Sequence, residues 1–534
     1  MLTKGEPVLY AASPRKRSPS PLTIILLLVG TLGAIKFIQS LRATPTIPQQ
    51  QQPYFEPMIQ QTVKEAATDK LPQKSVLPIP PALEMEISPA CENVDFHWLI
   101  NDRQFWDGWE SKVMFMRTDG KFTRKNVKIT EGESVCVVAM TGPIPAAGAI
   151  KHVVHYAPAD SIILTAQSDT EGVKMPLTLK AHEKERNIYF ASARFTHSGV
   201  YHLNAKLEYR SYFWEQPSFH AYSPIQFLSK NLLIVDKKTS KPQQGASDSK
   251  QEICNIRNNV ASNEQTSLES SVWINSRGKK QYDWKTAQKL QSFSMTNSNY
   301  TFVPNCKIDQ EGANCLLKKT IHMWGDKHLQ RNLESLMADT TVSNLNDACN
   351  DGNLFEGAAI STVDVNTPFL LNQNSTAVHF GSIDTQIAQS FQQWAGDMIG
   401  KARELPLADI VVIGVGNEDL SMARQNPEEF AQSYYAFLFY IANTIYPSQP
   451  IIVKTTQYAS VKSGASNYGR SLAFANIIKS SVSAVSAVSP NRRNPILVWD
   501  TYSLGFSENE CRNSLYSTAD ALTLENMLLT NLVC

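Results

Sequence analysis

Thr320-Ile321-His322-Met323-Trp324-Gly325-Asp326-Lys327-His328-Leu329-Gln330-Arg331-Asn332 is the stretch on which the fold turns. Lys318 and Lys319 lead into a short apolar run, Gly325-Asp326 makes a tight corner, and Leu329, Leu333, Leu336 and Met337 then recur at helical spacing. Strand, sharp turn and helix, in that order, is how an open α/β sheet presents a reactive side chain at the carboxyl end of a strand. Downstream, residues 410–415, 451–453 and 496–499 are short, nearly continuous apolar runs, as strands covered on both faces require. Between them Ile387, Phe391, Trp394 and Met398 fall on one helical stripe. Asn426-Pro427-Glu428-Glu429 opens another helix with a cap residue, a proline in the first turn and acids set against the dipole. Strands alternating with helices predict an α/β domain with a doubly wound parallel sheet over residues 254–534.

The chain before it changes character several times. Arg15, Lys16 and Arg17 precede an apolar run over 22–38 that only Lys36 interrupts, long enough to cross a thin bilayer. The leading segment is long and basic and no A-x-A-like cleavage site follows. The expectation is therefore a single-pass signal anchor at 22–38 with residues 1–21 cytoplasmic. Residues 39–90, rich in Gln (49–52) and Pro (78, 80, 81), read as a flexible stalk. Over 91–235 the period becomes two: Tyr201, Leu203, Ala205, Leu207 and Tyr209 alternate with His202, Asn204, Lys206 and Glu208. Further short strands at 127–129, 135–138, 162–166 and 188–190, separated by turns such as Gly132 and Ser198-Gly199, predict a β-sandwich of immunoglobulin or filamin type. A polar linker spans 236–253.

Composition narrows the function classes. A net charge of +1 gives no reason to expect a nucleic-acid partner. Eight cysteines stand singly with no CxxC pair, which reads as disulfides in an oxidising compartment. Their connectivity stays open: Cys511 and Cys534 flank the last helical stretch, and Cys306 and Cys315 close a short loop. The sequons Asn299-Tyr300-Thr301 and Asn374-Ser375-Thr376 fit a luminal, glycosylated body on the secretory route, at the Golgi or the cell surface. No cluster has metal-ligand spacing, so neither metal nor cofactor is expected.

One resemblance sharpens this reading. Tyr300-Thr301-Phe302-Val303-Pro304-Asn305-Cys306, then Cys315, then the Gly-Asp corner, resembles the SGNH/GDSL hydrolases. The likeness is to their PC-esterase type, found in neurexophilin-and-esterase proteins and in cell-wall O-acetyltransferases, and it covers roughly residues 284–534. That family reads Gly-Asp-Ser at the corner, and here the serine position is Lys327. Ile413-Gly414-Val415-Gly416-Asn417 resembles the family's Gly-x-Asn segment, which makes Asn417 either the match of its oxyanion asparagine or a cap on the turn after the strand. Gly357 is a candidate for the accompanying backbone amide. The C-terminal Asp-x-x-His of the family corresponds to Asp520-Ala521-Leu522-Thr523, with Thr523 in the histidine position, and the last histidine of the chain is His379. Serine attack needs a base to take the proton, and threonine cannot serve near neutral pH.

Two of three triad positions are thus replaced, at opposite ends of the domain. Lys327 reads either as a desolvated nucleophile or base, or as a solvated or salt-bridged lysine filling the old site, with the neighbouring Asp326 favouring its charged form. Arg331 either binds an anionic sugar or pairs with an acid such as Glu334 or Asp339. His328 packs at the helix start, and His322 is a core histidine. The resemblance implies a membrane-anchored luminal pseudoenzyme that binds glycans or assists an active acetyltransferase partner. Two alternatives stand beside it: a working O-acyltransferase or carbohydrate esterase with a non-standard nucleophile, and an adhesion protein acting through the sandwich.

Overall fold

The computed structural model describes residues 89–94, 111–141, 160–168, 172–182, 187–209, 223–238, 271–275, 293–294, 300–303, 316–337, 365–371, 376–383, 386–421, 427–457, 467–489, 492–504 and 519–533. The anchor at 22–38, most of the stalk, Gly357, both sequon asparagines and the cysteine pairs 306/315 and 511/534 lie outside these residues.

After a single helical turn, α1 (Pro89–Glu92), come β1 (Lys112–Phe115), β2 (Val127–Thr130), β3 (Ser134–Met140), β4 (Ser161–Ser168), β5 (Val173–Leu177), β6 (Lys180–Ala181), β7 (Ile188–Arg194), β8 (Gly199–Tyr209), β9 (Ile225–Leu228) and β10 (Leu233–Asp236). Three more strands follow, β11 (Val272–Asn275), β12 (Phe293–Ser294) and β13 (Tyr300–Val303). One sheet runs β1-β3-β7-β6 and the other β12-β13-β11-β5-β4-β8-β10-β2, with β9 on β8. Every pair is antiparallel except β2 with β10. Alternation decides which side chains turn inward. Val113, Phe115, Val135 and Val137 from the first sheet meet Leu164, Ala166, Leu203 and Ala205 from the second in one apolar core. Cys91 in α1 is disulfide-bonded to Cys136 in β3.

One boundary differs from the sequence reading. The strands of 272–303, placed by sequence in the α/β domain, belong to the first body: β11 pairs with β5, and β13 with β11. Four-residue apolar strands carry no signal of which sheet they will join, and the pairing is set by tertiary contact.

The parallel sheet begins at β14 (Thr320–Gly325), followed by α2 (Lys327–Met337), β15 (Phe369–Leu371), β16 (Thr376–Ser382), α3 (Ile387–Glu404), β17 (Ile410–Gly414), α4 (Asn417–Ser421) and α5 (Pro427–Tyr440). The chain closes with β18 (Ile451–Lys454), α6 (Tyr468–Val488), β19 (Ile496–Trp499) and α7 (Ala519–Val533). Strand order is β15-β16-β14-β17-β18-β19, parallel throughout except for the β15 edge. Successive residues feed opposite layers. Val411 and Ile413 face a core built with α3, α5 and α6, and Ile410 and Val412 face one built with α2 and α7. The chain leaves β14 toward β16 and returns across it to β17. The winding therefore reverses between β14 and β17, the position where such sheets open a crevice at their carboxyl ends. Among the described residues one helix, α6, is long and apolar enough to cross a membrane, and most of it is buried within the protein.

Candidate functional site

The Gly-Asp corner lies at that reversal. Gly325 pairs in register with Gly414 across the two strands. A side chain at Gly325 would overlap the Gly414 carbonyl and Leu329, so the strand ends and α2 can approach only because this residue is glycine. The Asp326 N–H donates to the Gly414 carbonyl (2.9 Å), and its carboxylate caps α2, with Oδ1 accepting from the His328 N–H (2.9 Å) and more weakly from Leu329 (3.4 Å). Oδ2 accepts twice from Asn417, from the backbone N–H (3.2 Å) and from Nδ2 (2.8 Å).

Asn417 is placed by Gly416, whose φ of 117° lies in the region that favours glycine. Its Oδ1 accepts from the Gln457 N–H (2.8 Å), so one carboxamide ties the end of β14 to the ends of β17 and β18. One Nδ2 hydrogen remains for any other acceptor. Lys327 is half-buried as the first residue of α2. His328 Nδ1 lies 3.7 Å from Asp326 Oδ1, an ion pair whenever the ring is protonated. Arg331 is buried on α2, 2% exposed. Asp520 and Thr523 fall in the first turns of α7, and their side chains lie outside the described residues.

Sequence reasoning missed the charged group behind the corner. Lys454 ends β18 fully buried, its Nζ donating to Asn332 Oδ1 (2.6 Å), 3.2 Å from Glu525 Oε2 and over the Trp499 ring. Glu525 also accepts from Asn332 Nδ2 (2.9 Å) and from Gln457 Nε2 (3.0 Å). Asn526 exchanges hydrogen bonds with Asn332, accepting at Oδ1 and donating to its carbonyl. The network therefore runs unbroken from α7 through Gln457 and Asn417 to Asp326. The only sequence signal was a lysine closing an apolar run and a glutamate among leucines.

Two further buried groups lie on the opposite face of the sheet. The Tyr434 hydroxyl has no hydrogen-bond partner among the described residues. Burial raises its pKa, and the carboxylates of Asp326 and Asp419 raise it further, so it stays a neutral phenol. Asp419 itself caps α3 through the Ile387 N–H (3.0 Å). His322 Nδ1 meets the Tyr446 hydroxyl (2.9 Å), which also accepts from Trp324 Nε1 (2.8 Å). The His379 ring stands edge-on to His322 at 5.6 Å.

Burial, then His379, pushes His322 down to about 4, against a smaller upward pull from the Pro406 backbone, which does not reach hydrogen-bond geometry with Nε2. Between pH 4 and 6.5 the unfolded chain binds a proton that the folded ring refuses. Stability from this group is therefore complete above pH 6.5 and lost as pH falls toward 4. The expected loss is about 2–3 kcal/mol after allowance for screening. Urea unfolding at pH 7 and pH 4.5 checks it: His322→Phe flattens the difference, and an equal slope in variant and wild type would exclude His322 as its source.

Among the described residues no group of three or more His, Cys, Asp or Glu side chains could hold a metal ion. No family model matches the chain, and no curated protein matches it. Solved structures similar to part of it include two acetylxylan esterases and an α/β hydrolase. An acetyl xylan esterase, AlAXEase, is 11% identical, with 39% of this chain and 98% of that one covered at a TM-score of 0.24. LAE5, an α/β hydrolase from the metagenome of Lake Arreo in Spain, is 12% identical, with 41% and 97% covered at 0.25. Axe2, an acetylxylan esterase from Geobacillus stearothermophilus, is 12% identical, with 40% and 94% covered at 0.25. Likenesses this distant bear no weight on activity or substrate.

Proposed function

We propose that this chain is a membrane-anchored, luminal protein of the SGNH/PC-esterase type that has lost hydrolytic chemistry. It binds glycans, or assists an active acetyltransferase, through the crevice at the β14/β17 reversal. In this reading the first body is an immunoglobulin- or filamin-like sandwich carried on a stalk, with the anchor at 22–38 and glycans on Asn299 and Asn374.

A single observation carries the proposal. The supporting frame of the corner is complete, with Asp326 and Asn417 locked to each other at the reversal, while the position that would carry the nucleophile is Lys327. His322 and His379 point into the layer beside Tyr446 and the Val365 carbonyl, and no histidine follows His379. His328 sits on the corner's own helix with its ring nitrogen toward Asp326.

The test is acetyl-ester turnover by the purified chain from residue 43 onward, beside Lys327→Ala and Asn417→Ala. All three are expected to match buffer. Turnover by wild type that Lys327→Ala abolishes would instead make Lys327 the reacting group and return the enzyme reading. Once turnover is excluded, glycan-array binding that Lys327→Ala weakens marks the crevice as the binding surface.

A further inference from the structure

Along β8 the outward residues His202, Asn204 and Lys206 are partly exposed, yet Glu208, next in the same alternation, is buried. What covers it is the start of α6. Glu208 Oε2 accepts from the Ser161 hydroxyl (2.7 Å) and from the Tyr468 N–H (2.9 Å), and Ser161 Oγ accepts in turn from the Gly469 N–H (2.8 Å). The next amide, of Arg470, is taken by the helix's own cap, Asn467 Oδ1 (3.0 Å). Two of the free amides at the head of a 21-residue helix are thus satisfied by the other body, with a carboxylate at the positive end of the dipole. Tyr209 and Ile163 flank the contact and pack into the core around α5 and α6.

From α6 the connection continues inward. Thr456 Oγ1 donates to the Ser471 carbonyl in the first turn (3.3 Å), and Thr456 precedes Gln457, whose N–H holds Asn417 against Asp326. We propose that Glu208 and Ser161 form a latch through which the β-body positions α6 and, through Thr456 and Gln457, sets the geometry of the crevice. The β-body is then a working part of the site, and Glu208 a positioning residue that never meets a ligand. The inference stands whether or not the crevice binds glycans.

Amide hydrogen exchange on the full chain in detergent tests it. With Glu208→Ala, exchange at Tyr468 and Gly469 should accelerate about 100-fold and at Gln457 about 10-fold. Glu208→Gln, which keeps an acceptor oxygen, should retain most of the protection. Sulfate at tens of millimolar should slow Tyr468 and Gly469 exchange in Glu208→Ala while leaving wild type unchanged, because it refills the vacated anion position. If Glu208→Ala does not fold, Ser161→Ala replaces it, with an expected acceleration of about 10-fold at Gly469 and a smaller one at Gln457. Acceleration confined to α6, with Gln457 unmoved in the folded variant, would reduce the latch to a local cap and overturn the proposal.

Discussion

Lys454→Met is expected to destabilise the protein by about 3–5 kcal/mol, because it leaves the Glu525 carboxylate buried without its cation. Both partners are 1% exposed, so water cannot replace the lost charge. Asn332 and Gln457 still donate to Glu525, which softens the loss without cancelling it. Glu525→Gln on the Lys454→Met background should recover at least half. A glutamine oxygen still accepts from one of the two donors, and no charge is stranded. A double-mutant cycle by urea unfolding should therefore return a coupling of about 2 kcal/mol or more between the two positions. Additive losses would mean that the pair contributes only its packing volume.

Asp326→Ala should cost about 2–4 kcal/mol through a different mechanism. The carboxylate accepts two N–H groups from the head of α2 and two from Asn417, and alanine accepts none. Loss of the cap accounts for roughly 1 kcal/mol and the stranded Asn417 donors for roughly 1–3 more. Asp326→Asn distinguishes the parts. Its carbonyl oxygen can still cap α2 or meet Asn417, but its amide cannot accept, so the loss should fall to about half. A loss below about 0.5 kcal/mol for Asp326→Ala would place the anchorage of the corner elsewhere, in Gly325 and the Gly414 carbonyl.

How far the fold could be read beforehand follows from which forces act locally. The runs at 410–415, 451–453 and 496–499 announce strands because a strand buried on both faces has no polar side, and β17, β18 and β19 form there. Pro427 with Glu428 and Glu429 announces a helix start, and α5 begins at Pro427. The corner was legible for the same reason: glycine and a capping aspartate between a strand and a leucine stripe have few other uses. Glu208 and Lys454 were not legible. Each occupies a place in its local pattern that reads as polar and outward, and only a helix distant in sequence, α6 in one case and α7 in the other, turns that place into an interior. The assignment of 272–303 failed alike, since partner choice by a short strand is a long-range event.

The bridge from Cys91 to Cys136 has a mechanical consequence. It joins the chain ahead of the β-body to β3, a strand held between β1 and β7, across a loop of 45 residues. Tension applied upstream of Cys91 enters the sheet at Cys136 and bypasses everything between. β1 and β2 are not pulled along their backbones, and the β1–β3 and β3–β7 ladders share the force instead of one edge strand unzipping from the end.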